Sequence, residues 1–330
     1  MNKKWGMAID LDKCTGCGAC QVACMQENNM PIFKDDSDLP KRVTFLDLMK
    51  VTNDKDAKKK YGEVQVAFVP KMCQQCEGNN LGAHQPIPLE TVKKRVLGGE
   101  KVFFPGITYD EQDNMLYKPE VVYTKDMVED LEKKGVKSVY FDNSQPPCVS
   151  VCPVVATDVG DDGVVSQVWS RCIGCRYCQT ACPYEARAFN WWNPRYEGDF
   201  KKSLNPDVSL SSRGAVVKCT FCSHIWKRER DKLLAKGEKD LNKVKYNPAC
   251  VSACPTNAII FGDLNDPESP VYAKKLNNDE RAVRLVHSID KADPKVREKW
   301  IAKKNYPNPK VYYLSSQKWL RDILVGFKNS

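Results

Sequence analysis

Arg171-Cys172-Ile-Gly-Cys175-Arg-Tyr-Cys178-Gln-Thr-Ala-Cys182-Pro183 sets three thiols at every third position and a fourth four residues later, ahead of a proline. Three thiolates at that spacing come from one tight loop and can hold three corners of a [4Fe-4S] cubane. The fourth lies on the following helical turn and points away, toward a neighbouring cluster in paired ferredoxin sites. One such motif therefore implies a partner motif.

The partners are present. Cys14-x2-Cys17-x2-Cys20-x3-Cys24 repeats the spacing near the N-terminus; Cys73-x2-Cys76 is completed by Cys148-x3-Cys152-Pro153, and Cys219-x2-Cys222 by Cys250-x3-Cys254-Pro255. All 16 cysteines are used, as four sets of four. A disulfide framework belongs to small secreted domains rather than to a chain of 330 residues. Structural zinc takes two Cys-x2-Cys knuckles and leaves the third in-phase cysteine and the Cys-Pro ending without a use.

The length suggests about two domains, and the doubled motifs suggest an α+β chain of two ferredoxin-like halves. Mean hydropathy is -0.52, and no window approaches the roughly 20 apolar residues of a membrane helix. The chain is expected to have no direct transmembrane span and to reach a membrane only through a partner. Its opening, Met1 to Asp10, is expected to carry no export signal. The formal charge of +9 counts each cysteine as neutral; at about -2 per loaded cluster, four clusters bring the protein close to neutrality. No nucleic-acid recognition motif accompanies the charge, so no nucleic-acid partner is expected. No nucleophile, general-base constellation or phosphate loop appears, and no catalytic residue is assigned.

Along the chain, residues 5–12 read as a strand and Ala19 to Asn28 as a helix. Gly16 and Gly18 would let backbone N–H groups face sulfur. Met25 stands where the other motifs have proline, so that helix can continue. Residues 30–60, ending in Asp54-Lys55-Asp56-Ala57-Lys58-Lys59-Lys60, read as a surface loop, and Val64 to Val69 as a strand. Between Cys76 and Cys148 lie 71 residues, too ordered in composition for a linker, with Val102-Phe-Phe104, a helix over Lys125 to Lys134 and a strand over Ser138 to Phe141. Cys-Pro-x-x-Ala recurs at Cys152, Cys182 and Cys254 as an internal repeat. Asp161-Asp162-Gly163 reads as a hairpin turn between Val154-Val155 and Val164-Val165.

Farther on, Ala188 to Pro194 reads as a strand followed by aromatic cover from Trp191 and Trp192. Residues 199–213 read as loop, and Trp226, Leu233-Leu234, Leu241 and Val244 as the apolar face of one helix. His224 reads as a surface or capping residue, with a hydrogen bond to a cluster as the sharper alternative; His84 and His287 carry less. In the tail, Val311 to Leu314 reads as a strand and Gln317 to Phe327 as an amphipathic helix, with Trp319, Leu320, Ile323, Leu324 and Phe327 on the face that packs on its own domain or a partner.

Cys-Ile-Gly-Cys-Arg-Tyr-Cys-x3-Cys-Pro-Tyr (172–184), Ala-Phe-Asn-Trp (188–191), Lys-Cys-Thr-Phe-Cys (218–222), Ala-Cys-Val-x2-Cys-Pro-Thr (249–256), Phe-Gly-Asp-Leu-Asn-Asp-Pro (261–267) and Pro-x-Val-Tyr-Tyr-Leu (309–314) resemble the electron-transfer subunit of the DMSO reductase, polysulfide reductase and respiratory molybdopterin oxidoreductase family. The resemblance covers most of the chain outside the two inserts. It implies two pseudo-symmetric bacterial-ferredoxin-like modules: one from 1–72 plus 214–263, the other from 73–76 plus 143–213. Residues 77–142 would form an insertion and 264–330 a C-terminal extension. It also implies nested ligation of four [4Fe-4S] clusters: Cys14, Cys17, Cys20 and Cys254; Cys24, Cys219, Cys222 and Cys250; Cys73, Cys76, Cys148 and Cys182; Cys152, Cys172, Cys175 and Cys178. The nitrate-reductase branch has Trp in place of one of these cysteines, whereas this chain has cysteine at all sixteen. The long insertion departs from the short family loop.

The function so implied is electron relay between a molybdenum or tungsten bis-pterin catalytic subunit and a membrane quinone-site or cytochrome subunit. The protein would be a peripheral membrane-associated subunit, on the periplasmic face after co-export with a partner, or else cytoplasmic. The alternative is a soluble polyferredoxin or a cluster subunit of a hydrogenase-like or ferredoxin-coupled complex. The inserts and tail, as docking surface a diffusing carrier does not need, favour the first.

Overall fold

The computed structural model describes residues 3–31, 43–54, 60, 62–78, 87–102, 108–111, 115–117, 121–141, 145–160, 162–196, 198–285 and 307–325. In chain order its elements are β1 (Trp5–Asp10), α1 (Ala19–Glu27), β2 (Leu46–Thr52), β3 (Val66–Met72), β4 (Ile87–Pro88), α2 (Leu89–Leu97), β5 (Thr108–Tyr109), β6 (Met115–Tyr117), α3 (Lys125–Lys133), β7 (Ser138–Phe141), α4 (Pro147–Ser150), β8 (Thr157–Val159), β9 (Val165–Gln167), α5 (Tyr177–Thr180), β10 (Ala188–Phe189), β11 (Val216–Val217), α6 (Ser223–Ala235), α7 (Ala249–Ser252), β12 (Ile259–Asp263), α8 (Ala273–Asn277), β13 (Ala282–Val283), β14 (Val311–Leu314) and α9 (Lys318–Leu324). The chain divides into two units, one of Met1–Cys76, Pro147–Arg297 and Pro309–Ser330, the other of Glu77–Pro146 and Glu298–Asn308. Every cysteine belongs to the first.

The first unit is built on a mixed sheet of order β12-β1-β14-β13. Its centre is buried on both faces. Met7 and Ile9 of β1, with Val311 and Tyr313 of β14, enter the main core; Ala8, Tyr312 and Leu314 face a smaller core with Leu264, Val271 and Leu276. Two buried faces explain why β1 carries no polar alternation. At about 1.5–3 kcal/mol per fully buried large side chain, these residues anchor the sheet. β14 pairs parallel with β1, Met7 opposite Val311 and Asp10 opposite Leu314. The tail strand is thus interior to the sheet, and α9 buries Leu320, Ile323 and Leu324 in the same unit's core. Phe327 lies outside the described residues.

β2 corrects the loop expected over 30–60. It pairs antiparallel with β3 along its whole length, Leu46 opposite Met72 and Thr52 opposite Val66. Asp47 and Lys50 are exposed within it, which breaks the alternation by which a strand is recognised. Lys55 to Lys59 lie outside the described residues. β3 begins at Val66 because Gln65 N–H is taken by Asn53 Oδ1 at 2.9 Å, and it delivers the chain to Cys73. Other expectations shift in the same local way. The hairpin pairs β8 with β9, because Val155 is left-handed (φ 50°) and cannot belong to a strand. The helix expected to reach Val244 ends at Ala235, ahead of Gly237 (φ 80°), and Leu241 sits in a separate 3-10 turn, Leu241–Lys243. Gly198–Ser203, at the start of the expected 199–213 loop, is likewise a 3-10 turn.

The second unit has its own sheet, β4-β7-β5-β6, and its own core. Leu89, Val92 and Val96 of α2 meet Val128 and Leu131 of α3, with Tyr123 and Val139. Thr124 caps α3 by accepting from Met127 N–H at 3.3 Å. Phe103 and Phe104 lie outside the described residues.

Candidate metal centre

Each Cys-x2-Cys loop has a left-handed residue two positions after its first cysteine, Gly16 (φ 73°), Gln75 (49°), Gly174 (72°) and Phe221 (51°), and in the last Cys222 (51°) is left-handed as well. That turn aims backbone N–H groups at sulfur. Gly16 N–H bonds Cys14, and Phe221 N–H donates to Cys219 Sγ at 3.4 Å. Glycine stands where a side chain would not fit, since a Cβ on Gly16 would lie 2.5 Å from Phe68 and one on Gly174 2.4 Å from the Gly214 carbonyl. Gln75 and Phe221 bear the left-handed strain because their side chains are anchored. Gln75 Nε2 donates to the Cys219 carbonyl and its Oε1 accepts from Val165 N–H, both at 2.7 Å. Phe221 packs edge-on to Phe261.

The three Cys-Pro-x-x-Ala endings also share a turn, with Val155, Glu185 and Asn257 all left-handed. It brings Ala156 N–H to Cys152 Sγ and Ala258 N–H to Cys254 Sγ, each at 3.2 Å; Ala186 and Tyr184 N–H do the same for Cys182. The first motif lacks the proline, and α1 runs on past Cys24 to Glu27. There Asn28 Nδ2 supplies the donor, at 3.7 Å from Cys24 Sγ and 4.0 Å from Cys222 Sγ.

The fold gathers the thiols in groups. Cys14, Cys17, Cys20 and Cys254 line one cavity. Cys24 is electrostatically coupled to Cys219, Cys250 and Cys222, and Cys76 to Cys73, Cys148 and Cys182. Cys178 is coupled to Cys172; Cys175 shares their loop, and Cys152 follows α4, which packs on α5. The charge of each group acts on the next. Cys20 is felt at Cys24 and Cys250, Cys73 at Cys219, and Cys148 at Cys178. Cys17 and Cys175 alone of the sixteen are exposed.

Burial, followed by repulsion from neighbouring thiolates, pushes Cys20 up to about 11 and Cys219 to about 12, and holds Cys24, Cys76 and Cys250 well above the usual thiol range. At Cys152 and Cys254 burial works the same way, but the converging N–H groups outweigh it and lower both. Close-packed buried thiols with N–H donors aimed at sulfur are stable as thiolates only around a cationic core. That donor set fits an iron–sulfur cluster.

Sequence reasoning missed the buried polar residues around this centre. Arg187, Lys218 and Lys310 are 4%, 1% and 2% exposed. Lys218 Nζ donates to the carbonyls of Cys219 (2.7 Å) and Val165. Lys310 Nζ donates to the Gly163 carbonyl, and burial lowers it to about 8 against the pull of Cys76. The available signal was position: Arg187 and Lys218 each adjoin a cysteine motif. His224 pairs with Glu27 at 2.8 Å rather than with sulfur; His84 and His287 lie outside the described residues. Trp191 packs edge-on to Phe189 with Arg176 over both rings, and both Trp191 and Trp192 are half exposed. Among the described residues no helix is long and apolar enough to cross a membrane.

Residues 5–26 and 165–188 each match a 4Fe-4S binding domain family. The protein is 36% identical over 323 residues to the iron–sulfur cluster-binding subunit of menaquinone reductase from Nitratidesulfovibrio vulgaris, covering 97% of this chain and 92% of that one. It is 29% identical over 286 residues to Hdr-like menaquinol oxidoreductase iron–sulfur subunit 1 of Archaeoglobus fulgidus, covering 82% and 74%. It is 26% identical over 302 residues to the arsenate respiratory reductase iron–sulfur subunit of Shewanella sp. strain ANA-3, covering 81% and 84%.

Proposed function

The protein belongs to the iron–sulfur electron-transfer subunits of reductase complexes, and on that premise we propose that it relays single electrons along a line of four [4Fe-4S] clusters. Loaded clusters take up and release one electron at a time, at potentials set by burial and by hydrogen bonds to sulfur. The ligands would be Cys14, Cys17, Cys20 and Cys254; Cys24, Cys219, Cys222 and Cys250; Cys73, Cys76, Cys148 and Cys182; and Cys152, Cys172, Cys175 and Cys178. One observation carries the reading: the thiol groups couple in that order, and the exposed cysteines, Cys17 and Cys175, fall in the first and last. The two inner groups hold no exposed cysteine, and each end group holds one.

The two recurring turns, left-handed loop and Cys-Pro-x-x-Ala ending, support a pseudo-symmetric pair of ferredoxin-like modules, with 77–142 inserted and 264–330 extending the second half of the chain. Catalysis belongs to a partner, for which a molybdenum or tungsten bis-pterin subunit is proposed, with a quinone-site or cytochrome subunit in the membrane at the other end. The protein would sit as a peripheral subunit on the periplasmic face, carried there by a signal-bearing partner, with the cytoplasmic face as the alternative. Anaerobic purification tests the reading directly. About sixteen irons and sixteen acid-labile sulfides per chain are expected, with cubane EPR signals on reduction; a content well short of that, or a lone chain of 37.4 kDa on native sizing, would overturn it.

A further inference from the structure

Arg187 is buried in the first unit, and among the described residues no carboxylate pairs with it. It follows the second Cys-Pro-x-x-Ala segment, where Thr157 and Ile259 follow the other two. Nη1 donates to Gln167 Oε1 at 2.9 Å and to Thr157 Oγ1 at 3.2 Å. Those acceptors face each other across β8 and β9, and the Thr157 hydroxyl also donates to Gln167 Oε1 at 2.7 Å. They hold one edge of the guanidinium and fix its plane. Nη2 is buried and has no hydrogen-bond partner among the described residues. Thr157 opens β8, which packs on α4, and α4 packs on α5; the charges of Cys148 on α4 and Cys178 on α5 act most strongly on the guanidinium, and that of Cys73 next.

We propose that Arg187 is an electrostatic bridge between the thiol group of Cys148 and that of Cys178, its fixed charge raising the reduction potentials of the two clusters those groups hold. This rests on the four-cluster assignment, in which the two cysteines serve adjacent clusters. A guanidinium stays charged at any working pH, and burying it unpaired is unfavourable unless anionic groups surround it. Clusters bound by thiolates are such groups. An electron added to either one deepens the negative charge beside Arg187, so the cation stabilises the reduced form of both. No cysteine of the first two groups is among the charges that act most on it.

The test is Arg187→Gln in the full, anaerobically purified protein, with the four redox steps followed by EPR-monitored potentiometry. Expected are an unchanged iron content, two steps moved to lower potential and two left in place; Arg187→Lys, which keeps the charge without the planar fork, moves the same two steps less. With four clusters present, no movement, equal movement of all four steps, or a Lys variant indistinguishable from Gln overturns the bridge and leaves the four-cluster reading standing. Iron well short of about sixteen per wild-type chain overturns both. If Arg187→Gln loses a cluster, retention in Arg187→Lys assigns the requirement to charge, whereas loss in both variants assigns Arg187 to packing and overturns the proposal.

Discussion

Gln75 shows how one side chain can hold a cluster loop in a shape its backbone resists. Its left-handed turn is held from both ends of the amide, by the Cys219 carbonyl and by Val165 N–H. Gln75→Leu keeps the size but leaves the buried Val165 N–H without its acceptor, at about 1–3 kcal/mol, while the Cys219 carbonyl keeps Lys218 Nζ. We expect a lower temperature for loss of cluster absorbance at a fixed scan rate, with iron content at low temperature unchanged; an unaltered melting profile would show that the amide bonds contribute nothing. The glycines of the first loop separate space from backbone angle. Gly18 has nothing within 4 Å of an added Cβ, whereas Gly16 would meet Phe68 at 2.5 Å. Gly18→Ala should cost about 1–2 kcal/mol, the penalty of a left-handed residue, a conformation that Arg176 adopts at the matching place in the third motif (φ 63°). Gly16→Ala carries that penalty and a steric clash, so the protein should load less iron under the same reconstitution. Equal behaviour of the two variants would contradict the packing of Phe68 on the loop.

At the scale of elements, the tail strand ties the sheet to the second cysteine loop. Tyr313 Oη donates to the Pro70 carbonyl at 3.1 Å and meets Gln74 Nε2 at 3.2 Å, while Lys310 N–H bonds the Gln74 carbonyl at 2.9 Å. Tyr313→Phe keeps the ring in the core and removes the hydroxyl, for an expected loss of about 1–3 kcal/mol as buried partners go unsatisfied. The same melting assay reads it, and Leu320→Ala, at about 2–5 kcal/mol, gives the comparison for pure core loss. A larger effect from Phe than from Ala would mean the hydroxyl matters more to this sheet than the core side chain does. These elements also mark what could be read in advance. Thiol spacing fixes its own loops, so α1, the cluster turns and the strands leading to cysteines were legible, as was β14 from its apolar run. β2 was not, because Asp47 and Lys50 interrupt it and only pairing with β3 makes it a strand. α2 has apolar residues at 89, 92 and 96, a helical spacing, but it is only nine residues long and follows Pro86 and Pro88, so no helix is read there. The burial of Arg187, Lys218 and Lys310 comes from packing between distant segments, which no local pattern of the sequence records.

At the scale of the molecule, ligation and the long insertion occupy separate units, and that division can be tested by excision. The second unit has its own sheet and apolar core and contains no cysteine. Glu77 and Gly78 N–H groups bond the carbonyls of Asn308 and Pro307, so both residues are best kept when 79–145 is replaced by a short Gly/Ser linker. Closing about 10 residues instead of 71 between Cys76 and Cys148 lowers the loop-closure cost by about 2 kcal/mol, so bringing these two cysteines together becomes easier. The shortened protein should therefore retain wild-type iron and sulfide, with the same EPR-active steps. If residues 79–145 instead grip a catalytic partner, co-purification of the complex falls while cluster content holds. Loss of iron from the shortened protein would show that the second unit is needed to build the cluster sites, and assembly at wild-type yield would remove any docking role for it.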